Sequence, residues 1–211
     1  SRHDVDIPLP GIINVSNATG AIVAAHAVGV PLADAIRGVE TARPVPGRTE
    51  IVTVRDATTP MTVVDYAHTP DGLAAVLEAM RGVTPGRLIV VFGCDGLRDD
   101  SKRPGLGVAA ATHADVVIVT DENPRTEPPE QIRSRILEGV DAERPDRRDV
   151  LEISPRVAAV EAAIRMATPD DTVIATGKGH ETTQEIDGVH HPYTDAAAFL
   201  AALDTVREER A

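Results

Sequence analysis

Five short apolar runs, separated by segments with helical periodicity, constrain the fold of this chain more than any other feature. The runs are MTVVDY (61–66), LIVVFG (88–93), DVVIVT (115–120), VLEIS (150–154) and DTVIATG (171–177). Their hydrophobicity is nearly continuous rather than alternating, which is typical of strands covered on both faces. The sequence therefore predicts a mostly parallel sheet whose strands lie between two layers of helices.

The segments between the runs have the spacing of amphipathic helices. Two apolar stripes carry this signal, Leu73, Val76, Leu77 and Met80 in one segment and Val157, Val160 and Ile164 in another. Capping or turn residues stand where helices should begin, at Thr69-Pro70, Ser154-Pro155 and Thr194-Asp195. Regular alternation of strand and helix predicts a doubly wound, Rossmann-like α/β sheet, which binds its ligands at the carboxyl ends of its strands.

Residues 1–48 have a different pattern. They contain two helical segments separated by Gly29-Val30-Pro31, followed by the linker-like tract RPVPGR (43–48). Two short helices have little apolar surface of their own and no sheet to cover. We therefore predict that residues 1–48 are the end of another domain, whose beginning precedes residue 1, and that residues 49–211 form the α/β domain.

Charge and composition exclude several classes of function. The chain has 21 basic and 33 acidic residues, a net charge of −12, so it has no general electrostatic attraction to nucleic acid. It has no Trp and only two Tyr and two Phe, too few for base stacking. A single Cys excludes an internal disulfide, and no apolar run approaches the roughly 18–20 residues that span a bilayer. We expect a cytoplasmic protein whose partners are small molecules, with no nucleic acid and no membrane.

Polar clusters follow four of the apolar runs. They are DYAHTP (65–70), GCDGLRDDSKRPG (93–105), TDENPR (120–125) and ATGKGHETT (175–183). The first suits a ribose or a base, or is simply a helix cap with a surface His. The second suits an anion, because glycines expose backbone N–H groups beside basic side chains, or is a solvated loop. The third combines a carboxylate, an amide and a guanidinium, which together can bind a zwitterion, although a plain turn would explain Asn-Pro.

Three further sequence features do not meet the requirements of the functional motifs that they resemble. The segment around Lys178 is not a phosphate-binding P-loop, because Thr172 and Gly179 stand where that motif needs Gly and then Ser or Thr. The pair His190-His191 has no partner at metal-ligand spacing, so we expect no metal site there. Cys94 follows an apolar run and is expected to be a buried small residue rather than a nucleophile. Gly177, His180 and Glu181 can still line a site.

The order and spacing of the clusters carry more information than any one of them. DYAHTPDGL, VFGCDGLRDDSKRP, VVIVTDENPRTEPP and TGKGHET, in this order, resemble the C-terminal domain of the Mur ligase family. Upstream, LPGIINVSNATGAIVAA and VPGRTE are similar to the end of that family's central ATPase domain and to the hinge after it. The resemblance covers essentially the whole chain. It implies that residues 1–48 end the ATPase domain and that residues 49–211 are the amino-acid-binding domain.

The resemblance implies an ATP-dependent amide ligase of peptidoglycan synthesis, and therefore a role in cell-wall growth, cell shape and cell division. ATP, with Mg²⁺ in the full-length enzyme, would phosphorylate the carboxylate of UDP-N-acetylmuramoyl-L-Ala-D-Glu. The amine of a diamino acid, meso-diaminopimelate, would then attack the acyl phosphate. By resemblance, the nucleotide would be bound by Asn14, Asn17, Arg48, Asp65 and His68. The diamino acid would be bound by Arg98, Glu122, Asn123, Pro124, Arg125, Gly177 and Glu181. The resemblance assigns no catalytic residue and no metal ligand.

Because the chain departs from the family pattern at several positions, the identity of its amino-acid substrate is not determined by the motifs. The family's loop has the pattern G-C-G-G-D-R-D, whereas this chain has Asp95 in place of a Gly and Leu97 in place of an Asp. Glu122 replaces the Asp of the family's D-N-P-R motif. The substrate could therefore be diaminopimelate, lysine or another amino acid, or the chain could belong to a Mur-like ligase of another pathway. A stand-alone small-molecule-binding module is the third alternative. Because these 211 residues contain no P-loop, we expect the chain by itself to be inactive and to hold no cofactor tightly. The oligomeric state is open.

Overall fold

The structure, a computed structural model, describes residues 2–8 and 11–210, without the side chains of Ile12, Ile13 and Arg210. It divides the chain into two compact units, Ser1–Val45 and Pro46–Ala211. The division falls slightly before the predicted boundary after residue 48, so Arg48 belongs to the larger unit. Leu9 and Pro10, the start of the LPG sequence, lie outside the described residues.

The smaller unit contains the two predicted helices, α1 (Ile12–Ala27) and α2 (Leu32–Glu40). Helix α1 ends just before Gly29, which has a φ of 98° that favours glycine. Among the described side chains of this unit, only Ala18 and Ala35 are buried hydrophobic ones. That small buried area agrees with the expectation that the segment has little core of its own.

The larger unit is built on a six-stranded sheet. Its strands are β1 (Glu50–Thr53), β2 (Met61–Val64), β3 (Leu88–Phe92), β4 (Val116–Val119), β5 (Val150–Glu152) and β6 (Thr172–Ala175), in the spatial order β1-β2-β6-β3-β4-β5. Only β1 runs antiparallel to its neighbour. All five predicted strands are confirmed. The sequence analysis missed β1 and the separate hairpin of β7 (Thr183–Ile186) and β8 (Val189–Pro192), because these short, exposed segments lack a long apolar run.

Helices cover both faces of the sheet. They are α3 (Pro70–Arg81), α4 (Lys102–His113), α5 (Pro129–Glu143), α6 (Arg156–Met166) and α7 (Asp195–Arg210). One hydrophobic core includes Val90 and Phe92 of β3 with residues of α3, α4 and α5. The other includes Ile89 and Val91 of the same strand with residues of α6 and α7. The strands β2, β3, β4 and β6 are buried along their whole length, which explains the continuous apolar runs. Helices on both faces of a mostly parallel sheet confirm the doubly wound α/β fold.

The helix predictions need one correction. The stripe Leu73, Val76, Leu77 and Met80 is buried, as the periodicity predicted. Val157, however, is 51% exposed, and α6 instead buries Ala159, Val160, Ala163 and Ile164. The small alanines let α6 lie close to the sheet, so its contact face is turned away from Val157. None of the helices in the described part of the chain is both long and apolar enough to cross a membrane.

Candidate functional site

The loops that carry the polar clusters begin side by side at the carboxyl edge of the sheet. Asp65 N donates to Ala175 O (2.9 Å), Thr176 N to Val91 O (2.9 Å) and Thr120 N to Phe92 O (2.8 Å). The second and third loops are in close contact at Gly96, where a Cβ atom would lie 2.0 Å from Pro124 O. The parallel topology therefore collects the predicted clusters at one edge.

Asn123 connects most of this edge through its side-chain amide. Its Nδ2 donates to Asp95 Oδ1 (3.0 Å) and to Glu181 Oε2 (2.9 Å). Its Oδ1 accepts from Lys178 Nζ (2.9 Å) and from Glu185 N (3.1 Å). Asn123 thus ties together three loops and the β7–β8 hairpin, and its four hydrogen bonds hold the amide in one orientation.

Lys178 is a functional candidate that the sequence analysis did not select. Its side chain is fully buried, and Nζ donates to Asn123 Oδ1, to Glu181 Oε2 (2.9 Å) and to Thr183 O (2.8 Å). A buried ammonium is costly unless it is paired and hydrogen-bonded, and here all three protons have acceptors. A Lys between two glycines at the end of a buried strand was the available signal. In the sequence, this Lys belongs only to an incomplete P-loop motif.

Arg125 lies on the third loop in an unusual backbone conformation. Its φ is 56°, and its backbone pairs with the hairpin through Arg125 N to Glu185 O (3.1 Å) and Asp187 N to Arg125 O (2.6 Å). The guanidinium donates from Nη1 to Glu185 Oε2 (3.0 Å), and Nη2 lies 3.5 Å from Asp95 Oδ2. Among the described residues, its buried Nε has no hydrogen-bond partner. Two carboxylates therefore share this one guanidinium.

Glu122 is buried behind Asn123, and its Oε2 has no hydrogen-bond partner in the described structure. Burial, helped by the negative charge of Asp95, raises the pKa of Glu122 to about 7. Gly177 faces this carboxyl with a φ of 101°, and a Cβ atom there would lie 2.3 Å from Glu122 Oε2. Gly177 is therefore needed both for its backbone conformation and for space.

A cavity of about 320 Å³ opens in front of these residues. It is lined by Asn123, Arg125, His180, Glu181, Thr182, Thr183, Glu185 and His190. Three of the residues predicted to bind the amino acid meet here, and Glu122, Pro124 and Gly177 are buried rather than lining it. Arg98 is exposed on its loop and does not line the cavity. The hairpin residues were missed because the hairpin itself was not predicted.

The residues predicted to bind the nucleotide fall into two sets. Arg48 Cζ lies 4.3 Å from the centre of the Tyr66 ring, and the rings of His68 and His180 lie 4.8 Å and 5.3 Å from it. Asp65 accepts hydrogen bonds from Thr49 N (2.7 Å), Thr49 Oγ1 (3.2 Å) and Ala67 N (2.7 Å). Arg48, Asp65 and His68 are thus brought together around Tyr66. The other set, Asn14 and Asn17, lies three residues apart on α1 in the smaller unit.

A buried ion pair between Arg156 and Asp195 lies next to the loop that leads into the site. Arg156 donates from Nε and Nη2 to the two carboxylate oxygens of Asp195 (both 2.8 Å) and from Nη2 to Thr176 O (2.9 Å). Tyr193 Oη donates to Asp195 Oδ1 (2.9 Å). This pair ties the starts of α6 and α7 to the loop that leads to Gly177.

Cys94 is buried, as expected, and burial raises the pKa of its thiol to about 11, which suits a structural rather than a nucleophilic residue. Within the described ranges, no group of three or more His, Cys, Asp or Glu side chains is placed to hold a metal ion.

The fold and the site define a Rossmann-like α/β domain with charged groups around a cavity at the carboxyl edge of its sheet. The chain belongs to the Mur ligase family: the family model "Mur ligase, glutamate ligase domain" matches residues 47–179. The resemblance seen in the sequence motifs is thereby confirmed.

Two relatives from the sequence comparison are 2,6-diaminopimelate ligases. Over 206 residues, the chain is 42% identical to the UDP-N-acetylmuramoyl-L-alanyl-D-glutamate–2,6-diaminopimelate ligase of Brucella melitensis, covering 98% of this chain and 41% of that protein. It is 43% identical to the ligase of the same name from Caulobacter vibrioides, over 97% of this chain and 40% of that protein. The chain therefore spans about two fifths of the length of the curated relatives it matches.

Solved structures agree on the fold. A structure of a UDP-N-acetylmuramoyl-L-alanyl-D-glutamate–2,6-diaminopimelate ligase superposes with a TM-score of 0.73 at 39% identity, covering 96% of this chain and 40% of that one. The UDP-N-acetylmuramate–alanine ligase of Thermotoga maritima superposes with a TM-score of 0.71 at 18% identity, over 99% and 41% of the two chains. The second likeness supports the fold alone.

Proposed function

We propose that the full-length gene product is an ATP-dependent ligase of peptidoglycan synthesis that works in the cytoplasm. It joins an amine of meso-2,6-diaminopimelate to the carboxylate of UDP-N-acetylmuramoyl-L-Ala-D-Glu. The names of the similar proteins support the reaction class and the substrates. The 211 residues contain no G-x-x-x-x-G-K-[ST] motif, so we expect the chain without any further residues to show no ligase activity.

The observation that carries this proposal is the meeting of Arg125, Asn123 and Glu181 at one cavity of about 320 Å³. The far end of meso-diaminopimelate bears both a carboxylate and an ammonium group. A guanidinium suits the carboxylate, and the carboxylate of Glu181 suits the ammonium. Asn123, whose amide orientation is held by Lys178 and Glu185, lies between them. Arg98, exposed on a neighbouring loop, remains our candidate for the α-carboxylate at the other end of the substrate.

The nucleotide part of the proposal depends on Arg48 and its neighbours. Arg48 is exposed and is positioned by the Tyr66 ring. Asp65 holds Thr49, the residue next to Arg48, through two hydrogen bonds. These residues fit a role at the edge of an anionic nucleotide, with Arg48 as the cation and Asp65 as its support. Bound ATP with Mg²⁺ would supply the phosphoryl group that activates the acceptor carboxylate.

The test measures kcat/KM for meso-diaminopimelate and for lysine in the full-length gene product and in its Arg125→Ala variant. Removing Arg125 leaves the substrate carboxylate unpaired, so we expect about a 30- to 100-fold loss with diaminopimelate. Lysine has no second carboxylate, so its loss should be small. Arg135→Ala, which removes an exposed Arg that pairs with Glu138 on α5, is the matched control.

Equal losses for the two amino acids would contradict the role of Arg125 in selecting the substrate. A parent protein that uses neither amino acid would contradict the proposed reaction and favour a Mur-like ligase with a different substrate.

A further inference from the structure

Asp95 binds the same two groups that the proposed function assigns to the amino acid. Its Oδ1 accepts a hydrogen bond from Asn123 Nδ2 (3.0 Å), and its Oδ2 lies 3.5 Å from Arg125 Nη2. An amide N–H and a guanidinium on one carboxylate are what a substrate carboxylate would require. Asp95 also stands where the family's loop pattern has a glycine, which has no side chain to place there.

The backbone around Asp95 is held against the third loop, so this placement is built into the fold. Gly96 N donates to Asn123 O (2.8 Å), and Arg103 Nη2 donates to Asp95 O (3.2 Å). Arg103 is itself buried and paired with Glu127. The Asp95 side chain is nevertheless 23% exposed, so it can rotate away without disturbing that backbone.

The charge around Arg125 makes a second carboxylate unfavourable while Asp95 is in place. The guanidinium already faces Asp95 and Glu185. The other nearby cation, Lys178, has all three of its protons donated to protein acceptors. A substrate carboxylate arriving at Arg125 would meet two negative charges that share one positive charge, and like charges at this distance repel. It must therefore displace Asp95 or bind less tightly.

We propose that Asp95 is a specificity-determining residue that acts as an internal substitute for the substrate carboxylate. It occupies Asn123 and Arg125 when the site is empty, and it weakens binding of an amino acid that carries a distal carboxylate. Lysine, which lacks that group, does not compete with Asp95. This inference rests on the proposed function, because it takes the cavity beside Arg125 as the amino-acid site.

The experiment compares the full-length gene product with its Asp95→Gly and Asp95→Asn variants. Asp95→Gly removes the competing side chain, and Asp95→Asn keeps its size but removes its charge. We expect KM for meso-diaminopimelate to fall about tenfold with Asp95→Gly and about threefold with Asp95→Asn, since one charged hydrogen-bonding competitor is lost. KM for lysine and for ATP should change less than about twofold. Asp100→Asn removes the same charge from an exposed position of the same loop and should change nothing.

A calorimetric Kd for meso-diaminopimelate on the same three proteins separates this inference from the proposed function. A parent that binds diaminopimelate without ligating it would contradict the proposed function alone. Unchanged Kd and KM in both Asp95 variants would overturn the role of Asp95 alone. A rise in KM for both amino acids would also overturn it, because Asp95 would then bind an ammonium group that the two share. Asp95→Asn keeps the test decisive if the glycine variant does not fold.

Discussion

Two buried carboxyl groups at opposite edges of the same sheet, Asp171 and Glu122, differ in how completely they are hydrogen-bonded. At the amino edge, the almost fully buried carboxylate of Asp171 accepts from Arg87 N (2.7 Å), Arg87 Nη2 (2.8 Å) and Thr168 N (2.8 Å). At the carboxyl edge, Glu122 is equally buried, yet its Oε2 has no hydrogen-bond partner among the described residues. Both oxygens of Asp171 are hydrogen-bonded, whereas one oxygen of Glu122 is not, although the buried cations Lys178 and Arg156 at the same carboxyl edge are paired.

The pKa values follow the same division. Burial alone would raise the pKa of Asp171, but the hydrogen bonds from Arg87 and Thr168 outweigh it and lower the pKa. Burial together with Asp95 raises the pKa of Glu122 to about 7. A fully satisfied carboxylate stabilises the fold, whereas an unsatisfied one costs stability and persists mainly where function needs it. We therefore expect Asp171 at the amino edge to stabilise the domain and ionised Glu122 at the carboxyl edge to destabilise it.

The largest effect should come from breaking the amino edge. Asp171→Ala removes the acceptor of two backbone N–H groups and of Arg87, so we expect the free energy of unfolding to fall by about 2–4 kcal/mol at pH 7. Because the folded pKa of Asp171 is lowered, its contribution is present above the ordinary value of 3.8 and is lost as the pH falls through the folded pKa. Urea denaturation at several pH values measures both effects.

The exposed neighbour Asp170 provides the control for that experiment. Asp170→Ala should change the free energy of unfolding by less than about 0.5 kcal/mol. If Asp171→Ala cost no more than this, the amino edge would not be the stabilising one.

The next effect has the opposite sign and belongs to the carboxyl edge. Glu122 has a pKa of about 7 in the fold and near 4.5 when unfolded, so its ionisation increasingly disfavours the folded state as the pH rises from about 4.5 to 7. Glu122→Gln should therefore stabilise the protein at pH 8 by on the order of 1–3 kcal/mol and change little at pH 5. Urea midpoints of parent and variant at both pH values check this, with the exposed Glu130→Gln as control. An equal difference at both pH values would refute the assignment.

The smallest stability effect is expected at Glu185, which pairs with Arg125 at the mouth of the cavity. The pair is partly exposed, with about a fifth to a quarter of each side chain accessible. Glu185→Gln should therefore change the free energy of unfolding by less than about 1 kcal/mol, as judged by urea denaturation. A loss above about 2 kcal/mol would mean that the carboxyl edge is also structural, and the contrast between the edges would fail.

Much of the fold could be predicted because burial on both faces leaves a local signature. The five apolar runs, the stripe from Leu73 to Met80 and the cap at Thr69 are each readable within a few residues. The same reasoning missed β1 and the β7–β8 hairpin, where burial is partial and exposed residues interrupt the pattern. It also misplaced Val157, because periodicity shows a helix but not which neighbour the helix packs against.

The sequence by itself determined the doubly wound sheet and, through its ordered motifs, the family and the candidate residues Asn123, Arg125 and Glu181. Only the tertiary structure decided that Lys178 is buried and bonded to Asn123, and that Asp95 contacts the Asn123 amide and the Arg125 guanidinium. The physical reason is the separation along the sequence of the residues that interact. Hydrophobic periodicity depends on residues that are close in the sequence, so it can be recognised without the structure. These hydrogen bonds instead join loops that are distant in the chain, and the loops meet only because parallel strands bring their carboxyl ends to one edge.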